Sequence, residues 1–171
     1  MSLQLDGTNG VLGNSGAFIA GTAVASTSGT SITFTGIPSW VKRVTVMFNG
    51  VSTNGTSQKM IQVGSGSITT TGYSCASTFL AAGSMGTANY TNGFQLYNLI
   101  TAADTLSGSI VFTLFGSNTW TLVANIGNSA STIQSVISGS IGLAGALDRV
   151  VITTVNGTDT FDAGSINILY E

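Results

Sequence analysis

Histidine is absent from this 171-residue sequence, and cysteine and proline occur once each. Charge is nearly as scarce, with four Lys and Arg and six Asp and Glu, for a net charge of -2. Each shortage excludes something. Without His, neither a Ser-His nor a Cys-His nucleophile and base pair can form. One cysteine, Cys75, permits no disulfide within the chain and no thiolate metal cage, so it reads as a small buried hydrophobe. Four cations cannot neutralise many phosphates, which argues against nucleic acid as a partner. The mean hydropathy of +0.42 is high. Yet Ser, Thr, Asn or Gly interrupts every apolar stretch before about 18 residues, and no membrane insertion is expected. No basic stretch precedes an apolar run near Met1, so no secretory signal is expected either.

What is present is hydroxyl and glycine: 22 Ser, 25 Thr and 23 Gly. Charged residues make up 6% of the chain, against about 25% in ordinary soluble domains. The polar surface must therefore be built from hydroxyls, amides and backbone. Such a surface has little repulsion to keep copies apart, which suits a protein that lives in an assembly.

Apolar residues recur with a period of two, the period of half-buried strands. Ile32 and Phe34, then Val44, Val46 and Phe48, then Ile61 and Val63, then Phe94 and Leu96 follow it. So do Ile110, Phe112 and Leu114, and Trp120, Leu122, Ala124 and Ile126. Ile133, Ser135 and Ile137, then Val151, Thr153 and Val155, then Ile166, Ile168 and Tyr170 complete the set. β-branched and aromatic residues dominate these runs. Asn-Gly at 9–10, 49–50, 54–55, 92–93 and 156–157 supplies tight-turn chemistry. The best helix candidate, Asn98 to Leu106, is at most two turns. About ten short strands at this spacing predict an all-β fold, an antiparallel β-sandwich of jelly-roll type. Residues 1–16 read as a glycine-rich arm or lead-in strand, and residues 17–171 as the sandwich domain. The lone Pro38, in GIPSW, ends one strand and sets up the next.

The stretches IPSWVKRVTVMFNGVSTNGTS (37–57) and LDRVVITTVNGTDTFDAGSINILYE (147–171) resemble a β-sandwich module of bacteriophage tail-fibre and virion appendage proteins. TTGY at 70–73 and SGSI at 107–110 fit the same pattern, and LDGTNGV at 5–11 is similar to the opening of many phage fibre proteins. The resemblance covers most of residues 30–171 and is loosest over 74–105. It implies a virion structural protein of a tailed phage, on the tail fibre or the capsid surface, set among other virion proteins. It further implies a homotrimer that contacts bacterial surface polysaccharide, where symmetry repeats a weak site and raises avidity. The chain is barely longer than the module itself. A capsid decoration or head-fibre protein that stabilises the particle is therefore the alternative, and a polysaccharide depolymerase the second.

Catalytic tools are few. Lys42 or Lys59 could in principle serve a Ser-Lys pair, but Lys42, beside Arg43 at a strand start, reads as a solvated edge. Asp159 and Asp162, in GTDTFDAGS, are the carboxylates a depolymerase would use. Their flanking Gly157 and Gly164 favour turn chemistry instead. Asp104 stands alone, and Asp148 with Arg149 reads as a pair at the start of a strand. No loop alternates Asp and Asn in the way calcium sites require, so no metal or cofactor is expected. Sugar sites combine aromatic faces with amides and hydroxyls. On that ground Tyr73, Asn89, Tyr90, Asn92 and Asn118 are the candidate ligand-binding residues. Trp120 is in phase with Leu122 and Ile126 and reads as core. Trp40 packs under the Pro38 turn, and Tyr97 and Tyr170 read as packing or interface residues.

Overall fold

A computed structural model describes residues 4–6, 10–12, 18–96 and 101–171, the first two segments by backbone alone. The strands are β1 (Gln4–Asp6), β2 (Gly10–Leu12), β3 (Ile19–Ala20), β4 (Val24–Ala25), β5 (Ser31–Thr35), β6 (Arg43–Thr53), β7 (Lys59–Ser65) and β8 (Ser67–Ile68). They continue as β9 (Ser74–Ala81), β10 (Ser84–Tyr90), β11 (Phe94–Gln95), β12 (Leu106–Gly116), β13 (Thr119–Asn128), β14 (Ile133–Gly142), β15 (Arg149–Thr154) and β16 (Phe161–Tyr170). Setting aside the β1–β2 hairpin and the two-residue pieces β3, β4, β8 and β11 leaves ten strands, the number the alternation implies. Within the lead-in, β1 and β2 pair with each other in antiparallel register.

Two antiparallel sheets form the sandwich. The larger runs β10-β9-β14-β13-β12-β6-β16-β3, with β4 also on β16. The smaller runs β11-β7-β15-β5, with β8 on β7. The chain changes sheet from β5 to β6 to β7, crosses again at β9, β11 and β12, and once more at β15 and β16. That alternation is the jelly-roll route. The β13–β14 hairpin lies between β12 and β9 and widens the large sheet.

The core fills the space between the sheets, because alternate side chains point inward. Val44, Val46, Phe48, Ile110, Phe112, Trp120, Leu122 and Ile126 line one wall. Ile32, Ile61, Val63, Val150 and Ile152 line the other. Here one expectation fails. In β15 the buried residues are Val150, Ile152 and Thr154, while Val151 and Thr153 are half-buried and Val155 is exposed. RVVITTV places apolar or β-branched residues at both parities, so alternation alone cannot choose the face. Phe94 bridges the layers. Its ring stands edge-on to Tyr73 at 5.0 Å and to Phe112 at 5.7 Å.

Turns also depart from the sequence reading. Asn49-Gly50 lies inside β6, at an irregular pairing with β16, and does not close a hairpin. The two-residue hairpin turns are Ala82-Gly83, between β9 and β10, and Ser117-Asn118, between β12 and β13. Ser117 and Asn118 both have positive φ, 46° and 61°, the signature of a type I′ turn. The helix expected over Asn98 to Leu106 falls partly outside the described residues. Within them, Ala102 and Ala103 form a turn and Leu106 begins β12.

Candidate functional site

Three of the five sequence-chosen residues converge. Tyr73, Asn89 and Tyr90 line one depression of about 310 Å³, together with Ser74, Cys75, Ala76 and Thr91. The β9–β10 register explains the convergence. Tyr90 pairs with Cys75 and Asn89 with Ala76, so the start of one strand and the end of the next share one corner of the sheet. The Tyr90 hydroxyl donates to Gln58 Oε1 at 3.1 Å, which fixes its half-buried ring. Asn89 is exposed. Asn92 sits just beyond the rim, where its Oδ1 accepts from Gln95 Nε2 at 2.6 Å.

Two of the five candidates, Tyr73 and Asn118, serve the fold. Tyr73 is 3% exposed, and its hydroxyl accepts from Val63 N at 2.9 Å and donates to Thr69 O at 2.8 Å. Burial pushes its phenol up to about 12. Only its position in the floor of the depression remains for a ligand. Asn118 supplies the left-handed turn geometry that Asn tolerates, and its carbonyl accepts from Leu143 N. It stands two strands away from Tyr73, across β14, and does not join the depression.

The surroundings are uncharged. None of β9, β10, β12, β13 and β14 contains a charged residue. Their outward face presents Thr, Ser, Asn and Gln among exposed Val123, Val136, Leu80 and Met85. A groove of about 550 Å³ near Leu80, Ser107, Gly127 and Gln134 opens on this face. The sequence carried no signal for it: Ser107, Gly127 and Gln134 fall in one cross-strand row only once the strands pair, and the small members leave the space.

Charge gathers elsewhere. Arg149 clasps Asp148 at 2.7 and 3.1 Å, the pair expected at a strand start, and Arg43 meets Glu171 at 3.1 Å. Lys42 is exposed just ahead of β6. Asp159 braces two loops, accepting from Ser57 N at 2.8 Å and Asn156 Nδ2 at 2.6 Å, and Asp162 is exposed in β16. Asp104 is buried and accepts from Thr101 N and from Ser131 Oγ. Burial alone would raise its pKa, but these hydrogen bonds outweigh burial and hold it below the ordinary carboxylate value.

Lys59 is buried like Asp104 but lacks its hydrogen bonds. Its side chain is fully buried, and its Nζ has no hydrogen-bond partner among the described residues. Burial lowers its pKa from the ordinary 10.5, with Asp104, Asp159 and Asp162 opposing the shift. Between the lowered value and 10.5 the unfolded chain binds more protons than the folded one, so stability climbs with pH across that window. Replacing the unpaired ammonium with an apolar chain of similar length removes its desolvation cost. Lys59→Met is expected to stabilise the fold by about 1–4 kcal/mol at neutral pH and to flatten the climb. Urea unfolding of both proteins at pH 7 and pH 10 measures it, and a less stable variant at pH 7 contradicts it.

No known protein family matches the chain, and no curated protein does. Among solved structures it is similar to Scytalido-glutamic peptidase, crystallised with a peptide-based transition-state analogue. The likeness has a TM-score of 0.31 and 13% identity, over 82% of this chain and 73% of that one. A likeness of that degree carries no functional weight.

Proposed function

We propose that this chain is a bacteriophage virion appendage module that contacts an envelope glycan of the bacterial host without catalysis. The phage assignment rests on the resemblance of residues 37–57 and 147–171. The observation that carries the binding role is the depression between β9 and β10. A half-buried aromatic ring, an exposed amide and the hydroxyl residues Ser74 and Thr91 line it, and no lining residue is charged. Rings of sugars stack on aromatic faces, and their hydroxyls exchange hydrogen bonds with amides and hydroxyls. The engagement of both Asp159 oxygens in loop bracing supports binding over hydrolysis.

Purified protein on an array of host envelope glycans tests the role. Loss of one ring contact costs about 1.4 kcal/mol, so Tyr90→Ala is expected to weaken binding roughly tenfold. Asn89→Ala, at an exposed position, gives a comparable loss without a change in melting temperature. The reading fails if no host glycan binds and virions lacking the protein adsorb normally. Particles that adsorb but leak would instead assign the chain to capsid decoration.

A further inference from the structure

Every strand that ends a sheet exposes unpaired backbone groups, and natural proteins blunt such edges with lysine, proline, bulges or covering segments. On one side of the large sheet the rule is obeyed: β3 and β4 lie along β16. On the other side it is broken. β10 spans seven residues, SMGTANY, with no charge and no proline, and pairs only with β9 among the described residues. Its register with β9 is continuous from Ser84 to Tyr90, without a bulge. It is also the longest strand at a sheet edge in the described residues.

We propose that β10 is a self-association surface on which the β10 of a second copy of this chain adds in antiparallel register. The hairpin geometry specifies the donors. A two-residue turn makes Ala81 and Ser84 a hydrogen-bonded closing pair, so the alternate residues Met85, Thr87 and Asn89 aim N–H and C=O at the free edge. All three are exposed. A two-fold axis at Thr87 sets Thr87 against its copy and Met85 against the partner's Asn89. This register forms about six backbone hydrogen bonds and a favourable Thr–Thr pair. A second copy fits better than an unrelated strand because the segment is its own complement. Thr87 is the middle of the seven residues, Gly86 meets Ala88 beside it, and no like charges face each other. The pairing also brings Met85 of each copy beside the depression that holds Asn89 and Tyr90 of the other. Two-fold pairing departs from the three-fold assembly that the phage resemblance implies, and it does not depend on the glycan reading.

Sedimentation of the full chain from low to high micromolar concentration tests the proposal. The expected species is a dimer of the 17.3 kDa chain. Thr87→Pro removes an edge-facing N–H without breaking the β9 ladder, and Met85→Lys introduces the edge charge that natural sheets use. Each is expected to weaken dimerisation on the order of 100-fold while circular dichroism and melting temperature stay unchanged. A wild-type monomer at high micromolar concentration overturns the proposal. So does a trimer, or a dimer that both variants leave intact.

Discussion

Phe94→Ala is expected to destabilise the fold by about 3–5 kcal/mol, the range for deleting a fully buried aromatic ring. The size of the effect follows from how little else holds β11. That strand pairs over two residues, Phe94 with Ile61 and Gln95 with Met60. The Phe94 side chain is fully buried between the layers, edge-on to Tyr73 and Phe112. The large sheet makes room for it at Gly139, where a Cβ would stand 2.9 Å from the ring. Truncation therefore removes transfer energy, two aromatic contacts and the peg that docks β11. Urea unfolding followed by tryptophan fluorescence gives the value, and a loss under about 1 kcal/mol would mean that the site collapses around the gap.

Gly164→Ala is expected to cost about 4 kcal/mol, from two sources that add. Gly164 has φ of +89°, a conformation that a side chain disfavours. A Cβ there would also run into the backbone of Gly50 and Asn49 on β6. Both glycines sit where the β6–β16 register slips, between Ala163 and Ser165. The slip lets the chain's closing strand run the full length of β6 while the sheet twists, as bulges do. Backbone cannot yield as a flexible side chain can. Thermal unfolding of Gly164→Ala beside Gly157→Ala separates the two sources. Gly157 has φ of +67° but open space around its Cβ position, so it carries the conformational cost alone.

The strands were legible because period-two alternation is a direct imprint of one buried face. Trp120, Leu122, Ala124 and Ile126 all turn inward as their phase requires. The same logic reaches Lys59. It lies two residues before Ile61 and four before Val63, in phase with the core, but residue type argues for solvent and hides the alternation. The β15 face was illegible for the opposite reason, since Val150 and Val151 are equally apolar. Turns were read from Asn-Gly pairs, yet Ser117-Asn118 forms the type I′ hairpin. Chain register around a turn, which local sequence does not encode, decides which dipeptide closes it. Of the site, Asn89 and Tyr90 were legible as an amide and an aromatic, although they lie in β10 and not in a loop. Their meeting with Ser74 depended on a strand pairing that only the fold supplies. Tyr73 misled because a tyrosine hydroxyl satisfied by Val63 and Thr69 looks, in sequence, the same as one offered to a ligand.

The uncharged strands β9, β10, β12, β13 and β14 carry a consequence for where such a surface can work. Dissolved ions weaken an attachment by screening its charges, and the screening length shrinks from about 30 Å in 0.01 M salt to about 3 Å at 1 M. A face of hydroxyls, amides and short apolar chains offers nothing to screen. Any contact made through it is therefore expected to vary little with ionic strength, from dilute freshwater to brine.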